Sequence, residues 1–160
     1  MLFGTALLTL AGCSGTAAPP AIHAATDTDM TLHYGDTDYL CHICYVNKNN
    51  ASLTLSSPDT LSGLTFHRTN GRYSLSLGSL LCKGGNLFPN SGVPAKDVLS
   101  AFDDLSDSSL TCTGQTEDGT YTFTLPSSDS FSLTTDSSGS PLAITTDTFT
   151  LTYHPTTPPT

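Results

Sequence analysis

Between residues 28 and 154 apolar and polar side chains alternate with a period of two, run after run. Met30–Tyr34, Tyr39–Val46, Ala51–Leu55, Leu64–Phe66 and Tyr73–Leu77 form a first series. Leu110–Cys112, Tyr121–Leu125, Phe131–Leu133, Leu142–Ile144 and Phe149–Tyr153 form a second. Successive side chains of an extended chain point to opposite sides, so each run predicts a strand with one buried face and threonine on the wet one. Gly35-Asp36, Asn49-Asn50, Asn70-Gly71, Asp118-Gly119 and Ser138-Gly139 separate the runs at hairpin spacing. About ten short strands joined by tight turns predict an antiparallel meander.

One segment breaks the period. In Pro94–Leu105, PAKDVLSAFDDL, apolar residues fall at 95, 98, 99, 102 and 105, one face of a helix. Pro94 suits a first helical turn, where its missing N–H costs nothing. A lone amphipathic helix among strands must lay Val98, Leu99 and Phe102 on the sheet. The expected fold is therefore mainly β, a curved and unclosed half-barrel with one helix packed on its concave face. The preceding loop, Gly84–Val93, is long enough to swing that helix across.

The front of the chain follows another logic. Residues 2–11, LFGTALLTLA, are uncharged and too short to span a bilayer, which takes about 20 apolar residues. A brief apolar run ending in small residues has the form of a secretory signal. Leu10-Ala11-Gly12-Cys13 closely resembles the lipobox of bacterial lipoproteins. That resemblance implies cleavage before Cys13, lipidation of its thiol and a mature chain of 148 residues. Two acyl chains anchor stably where one does not. The Lys or Arg that normally opens such a signal is missing after Met1, which is expected of a start site assigned too late or a trimmed record. The expected organisation is a signal over 1–12, the lipidated cysteine and a flexible linker over 13–27, one domain over 28–154, and a disordered tail over 155–160.

Charge narrows the partners. A net charge of −9 with five basic residues, Lys48, Arg68, Arg72, Lys83 and Lys96, argues against nucleic acid and against electrostatic docking on anionic lipid. Membrane contact would come from the anchor alone.

Ser57-Pro58-Asp59-Thr60-Leu61-Ser62-Gly63-Leu64 between two strands, Pro94 opening a helix, and the hairpin Asp136–Ile144 together resemble Gram-positive lipoproteins similar to the outer-membrane lipoprotein carrier (LolA-like) superfamily, over roughly residues 28–154. The resemblance implies an unclosed half-barrel whose apolar concave face, covered by helices, holds an acyl chain or lipid. It assigns no functional side chain here, and the carrier's gating arginine is matched to neither Arg68 nor Arg72.

No catalytic constellation stands out. Cys41-His42-Ile43-Cys44 has redox or zinc-site spacing, but it falls in a predicted strand, where residues three apart face opposite ways. Cys82 and Cys112 could pair only if their strands were neighbours, and two buried free thiols are expected. His23, His33, His42, His67 and His154 are scattered, although His33 and His42 flank one hairpin. Asp36, Asp38, Asp118 and Asp136 read as turn residues capping backbone groups. Asp103-Asp104 lies near a helix C-terminus, the unfavourable end for negative charge, and is expected to be solvated. No catalytic residue, metal site or cofactor is expected.

The expected function is a non-enzymatic, monomeric lipoprotein on the extracytoplasmic face of the membrane, binding a lipid, acyl chain or lipoprotein between sheet and helix. Leu87, Phe88, Val98, Leu99 and Phe102 are the expected ligand contacts. The alternative is a structural or protein-interaction lipoprotein with a filled core. Replacing Cys13 with Ser is expected to release the protein from membranes; a variant still sedimenting with the membrane fraction would refute the anchor.

Overall fold

A computed structural model describes residues 18–83, 93–107, 110–126 and 128–154. The first half of the chain gives β1 (Thr26–Tyr34), β2 (Thr37–Asn47), β3 (Asn50–Leu55), β4 (Thr65–Thr69), β5 (Arg72–Leu77) and β6 (Leu80–Lys83). The helix α1 (Ala95–Asp107) follows. The second half gives β7 (Thr111–Gln115), β8 (Tyr121–Leu125), β9 (Ser128–Thr135), β10 (Pro141–Thr145) and β11 (Phe149–Tyr153).

All eleven strands make one antiparallel sheet in the order β6-β5-β4-β3-β2-β1-β11-β10-β9-β8-β7. Within each half of the chain, β1–β6 and β7–β11, consecutive strands pair with one another. The two halves join in the middle, where Met30–Tyr34 of β1 pairs with Phe149–Tyr153 of β11. The sheet is not closed, and β6 and β7 are its two edges.

The alternation in the sequence becomes alternation in burial. In β2, Tyr39, Cys41, Ile43 and Tyr45 are buried, and the residues between them are not. Equivalent positions on β1, β3, β4, β8, β9, β10 and β11 join them in a single core with the buried face of α1. A flat sheet of eleven strands spaced about 4.8 Å apart would be several helix diameters wide. One helix shares a core with both halves because the sheet curves around it.

The hairpins use the turn chemistry of their sequences. Asn70 and Gly71 both have positive φ (51° and 70°), as a two-residue turn matching strand twist demands. Asp136 accepts hydrogen bonds from the Ser138 and Ser140 backbone N–H groups at 2.8 and 2.9 Å. The Ser138 hydroxyl, followed by these backbone bonds, holds its carboxyl below the usual range. Asp118 is lowered in the same way, chiefly by the Thr116 hydroxyl.

Three boundaries differ from the sequence reading. β6 is an additional strand, entered through the Gly78-Ser79 turn, with Gly78 at φ 57°. The β2–β3 turn is Lys48-Asn49, so Asn50 begins β3. The linker expected over 13–27 does not extend that far: Thr26 and Asp27 belong to β1, and Ile22 and Ala24 pack against the core.

The segment ahead of β1 also passes close to the β9–β10 turn. Gly139 has φ +88°, and a Cβ there would lie 2.5 Å from the Ala21 carbonyl oxygen. Gly35 has φ +60° with open space around it. Gly139→Ala is expected to cost more stability than Gly35→Ala, roughly 1–3 kcal/mol against about 1 kcal/mol, in urea denaturation. Equal losses would mean that residues 20–21 do not dock on this turn in solution.

Candidate functional site

The helix meets the concave face through Ala95, Val98, Leu99, Ala101, Phe102 and Leu105, all buried, with Val98, Leu99 and Phe102 at 0% exposure. These three, expected to contact a ligand, are occupied by the protein's own core. Leu87, Phe88 and Cys13, the other expected site residues, lie outside the described residues.

Among this apolar packing sits one polar fastening. Arg68 on β4 is 3% exposed, and its two terminal nitrogens donate to the two carboxylate oxygens of Asp103 on α1, each at 2.7 Å. The fork of the guanidinium matches a carboxylate in this way and a lysine could not. Tyr45 on β2 stacks on Phe102 of α1, with ring centroids 5.3 Å apart. Its hydroxyl donates to Asp103 at 2.9 Å, and the Arg68 guanidinium carbon lies 5.8 Å from its ring centroid. Burial alone would lower the Arg68 pKa, but the Asp103 and Tyr73 hydrogen bonds outweigh it, and the net shift is upward. Asp103 is therefore not simply solvated: its place near the C-terminus of α1 is compensated by Arg68.

Arg68 Nε has no hydrogen-bond partner among the described residues. An unpaired buried donor costs about 1–3 kcal/mol. The clamp thus orients the helix more than it stabilises the fold, since a buried ion pair returns little beyond its own desolvation.

Beside the helix the concave face continues without full cover. Register pairs Arg68 with Tyr73, Phe66 with Leu75, Leu75 with Cys82, and Leu77 with Leu80. Directly opposed residues share a face, so Tyr73, Leu75, Leu77, Leu80 and Cys82 extend the concave side. Tyr73 and Leu75 pack partly on the core, while Leu77 is 43% exposed and Leu80 69%. Edge strands normally carry charge to deter pairing; β6, Leu80-Leu81-Cys82-Lys83, has one lysine and two exposed leucines.

Clefts lie elsewhere among the described residues. A groove of about 1050 Å³ runs by the β4–β5 turn and is lined by residues including Arg72, Tyr73 and Lys83. A smaller one of about 190 Å³ separates Asp97 and Asp104 on the outer side of α1 from the β10–β11 turn. Val98, Leu99 and Phe102 line neither.

The cysteines are dispersed. Cys41 is buried and Cys44 half-buried on the opposite face, as the strand spacing requires. Burial, assisted by the Asp29 charge, pushes the Cys41 thiol up to about 12, and its Sγ faces the Met30 carbonyl at 3.5 Å. A thiol kept protonated is a poor nucleophile. Cys82 and Cys112 lie on β6 and β7, the two edges, and not on neighbouring strands. Both are free; Cys82 is exposed and Cys112 half-buried, so neither is the buried thiol expected.

His33 and His42 do not face each other. Each is bonded to carboxylates, His33 to Asp38 at 2.6 Å and His42 to Asp27 and Asp29 at 2.7 and 2.9 Å. No group of three or more His, Cys, Asp or Glu among the described residues is placed to hold a metal ion.

Comparisons with protein families, with curated proteins and with solved structures returned no match.

The clamp can be tested directly. Asp103→Ala would strand a buried Arg68 and is expected to cost about 3–5 kcal/mol. Arg68→Met combined with Asp103→Leu should recover most of that in chemical denaturation. A near-neutral Asp103→Ala would show that Arg68 reaches water and that α1 is not held by this pair.

Proposed function

We propose that this is an extracytoplasmic protein, anchored to the membrane through Cys13, that binds a hydrophobic ligand on the concave side of its open sheet. The ligand is an acyl chain of a lipid or lipoprotein, and its place is the β5–β6 wing beside α1, not the space beneath the helix. The observation that carries this reading is the row Tyr73, Leu75, Leu77, Leu80 and Cys82. It continues the apolar face past the helix and leaves Leu77 and Leu80 in water.

The mechanism is burial without chemistry. Each leucine covered in full contributes about 1.5–3 kcal/mol, so a chain lying along the row gains from Leu77 and Leu80 together. The resemblance to the carrier superfamily supports the same reading, since an unclosed sheet with a helix on its concave face is the architecture that binds lipid there. No helix among the described residues is long and apolar enough to cross a membrane; membrane attachment rests on the lipidated cysteine.

A second reading is favoured by the complete burial of Val98, Leu99 and Phe102. Here the helix is a permanent plug, and the protein is a structural or interaction lipoprotein whose outer surface meets a partner.

Native mass spectrometry of the full chain, extracted gently from membranes, separates the two. Lipid that co-purifies with the protein and is lost on Leu77→Asp/Leu80→Asp supports binding on the wing. A clean unliganded mass, or lipid retained by that variant, rejects the wing; the clean mass leaves the plugged-core reading.

A further inference from the structure

On the outer face of the sheet, opposite the clamp, His42 of β2 projects between two carboxylates of β1. Its Nδ1 lies 2.9 Å from Asp29 Oδ1 and its Nε2 2.7 Å from Asp27 Oδ1. An ionised carboxylate only accepts hydrogen bonds, so both ring nitrogens must carry protons to make both contacts. That is the imidazolium form. We propose that His42 is a pH-sensitive fastener that holds the leading half of β1 to the sheet.

The leading half of β1 depends on this contact more than the rest. Met30–Tyr34 are paired on both sides, with β2 and with β11. Among the described residues Thr26–Asp29 are in register with β2 alone, and on the other side only the Asp29 carbonyl is engaged, accepting from the His154 N–H at 3.1 Å. The burial pattern of these four residues alternates between half-buried and exposed, so no core residue holds them. Two charge-assisted hydrogen bonds from a neighbouring strand are strong fastenings by comparison. This stretch also follows directly on the segment that would lead to the Cys13 anchor.

Few other charges act on His42. Across β3 its register partner is Thr54, which bonds to Thr65 of β4. Along β2 its same-face neighbours are Leu40 and Cys44. Beyond Asp29, His154 at the end of β11 bonds to Thr31. Further along the same face His33 is occupied by Asp38. No basic residue is in register with His42 on either side, so the two aspartates set its charge.

The hydrogen bond that His42 donates to Asp29 is the largest contribution, and with Asp27 it outweighs the opposing effect of burial, so the His42 pKa rises above 6.5. A group whose folded value is raised contributes its stabilisation in full below the unfolded value and loses it as pH climbs through the folded one. The fastener is therefore closed below 6.5 and opens as pH climbs through the raised His42 value. His42 and its partners are substantially exposed, so solvent screens the effect and the opening is local.

The test is an NMR titration of the histidine rings in the full chain, with amide hydrogen exchange followed over the same pH range. His42 is expected to titrate above 6.5 and to return toward it in Asp27→Asn/Asp29→Asn. Protection of the Thr26–Asp29 amides, corrected for intrinsic exchange, should fall several-fold as pH passes the His42 midpoint. In His42→Gln it should be low and flat with pH. A midpoint unmoved by the aspartate substitutions, or protection of Thr26–Asp29 that ignores pH in the parent chain, overturns the proposal. Both aspartates are exposed, so their substitution leaves the core intact, and either single variant gives the same reading with a smaller shift.

Discussion

β1 stands in the middle of the sheet, and both halves of the chain are built outward or inward relative to it. The first five hairpin steps carry the chain from β1 to the edge at β6. The last strands return from the opposite edge at β7 to pair β11 with β1. Between β6 and β7 the chain has to pass from one margin of the sheet to the other, and the rest of the molecule depends on that passage. Crossing on the concave side lets the connecting segment bury an apolar face. The sequence at 95–105 supplies such a face at helical spacing. The helix is therefore a structural consequence of the strand order before it is anything else.

A crossing helix can slide or tilt on a surface of leucines and phenylalanines, since apolar packing has little directionality. The Arg68–Asp103 pair removes that freedom. Its two parallel bonds define both the height of α1 and its rotation, and Tyr45 joins the two partners by stacking on Phe102 and donating to Asp103. The cost is visible in the unpaired Arg68 Nε. A pair retained at such a position is better explained by the single orientation it imposes than by added stability.

Strand positions and the helix were legible because their signals are local: period two against a helical stripe, punctuated by turn residues. β6 escaped because four residues, Leu80–Lys83, are too few to show a period, although Gly78-Ser79 was a usable hairpin signal. The clamp was not legible at all. Arg68 and Asp103 are 35 positions apart, and nothing in either neighbourhood says that β4 and α1 meet. Taken alone, two aspartates near a helix end read as an electrostatic misfit; only the strand order brings the compensating charge under them. His42 shows the same limit. Its spacing from Cys41 and Cys44 drew attention to metal chemistry, whereas its actual partners stand opposite on β1.

The length of α1 explains where an open apolar surface remains. Thirteen residues make a rod of about 20 Å, while eleven strands at about 4.8 Å make a ribbon more than twice as wide. Curvature brings β1–β4 and β8–β11 against the helix, and their inward side chains share its core. It cannot bring every strand. Burial fades through β5 and is lost in β6, where all four residues are exposed. Had the outer strands been merely structural margins, polar inward residues would have served there, as Gln115 does on β7 opposite the buried Tyr121. Instead Leu75, Leu77 and Leu80 keep the concave side apolar beyond the point where the helix ends its cover. That mismatch between the reach of the helix and the extent of the apolar face is the physical ground for the proposal that a hydrophobic ligand binds beside α1 and not beneath it.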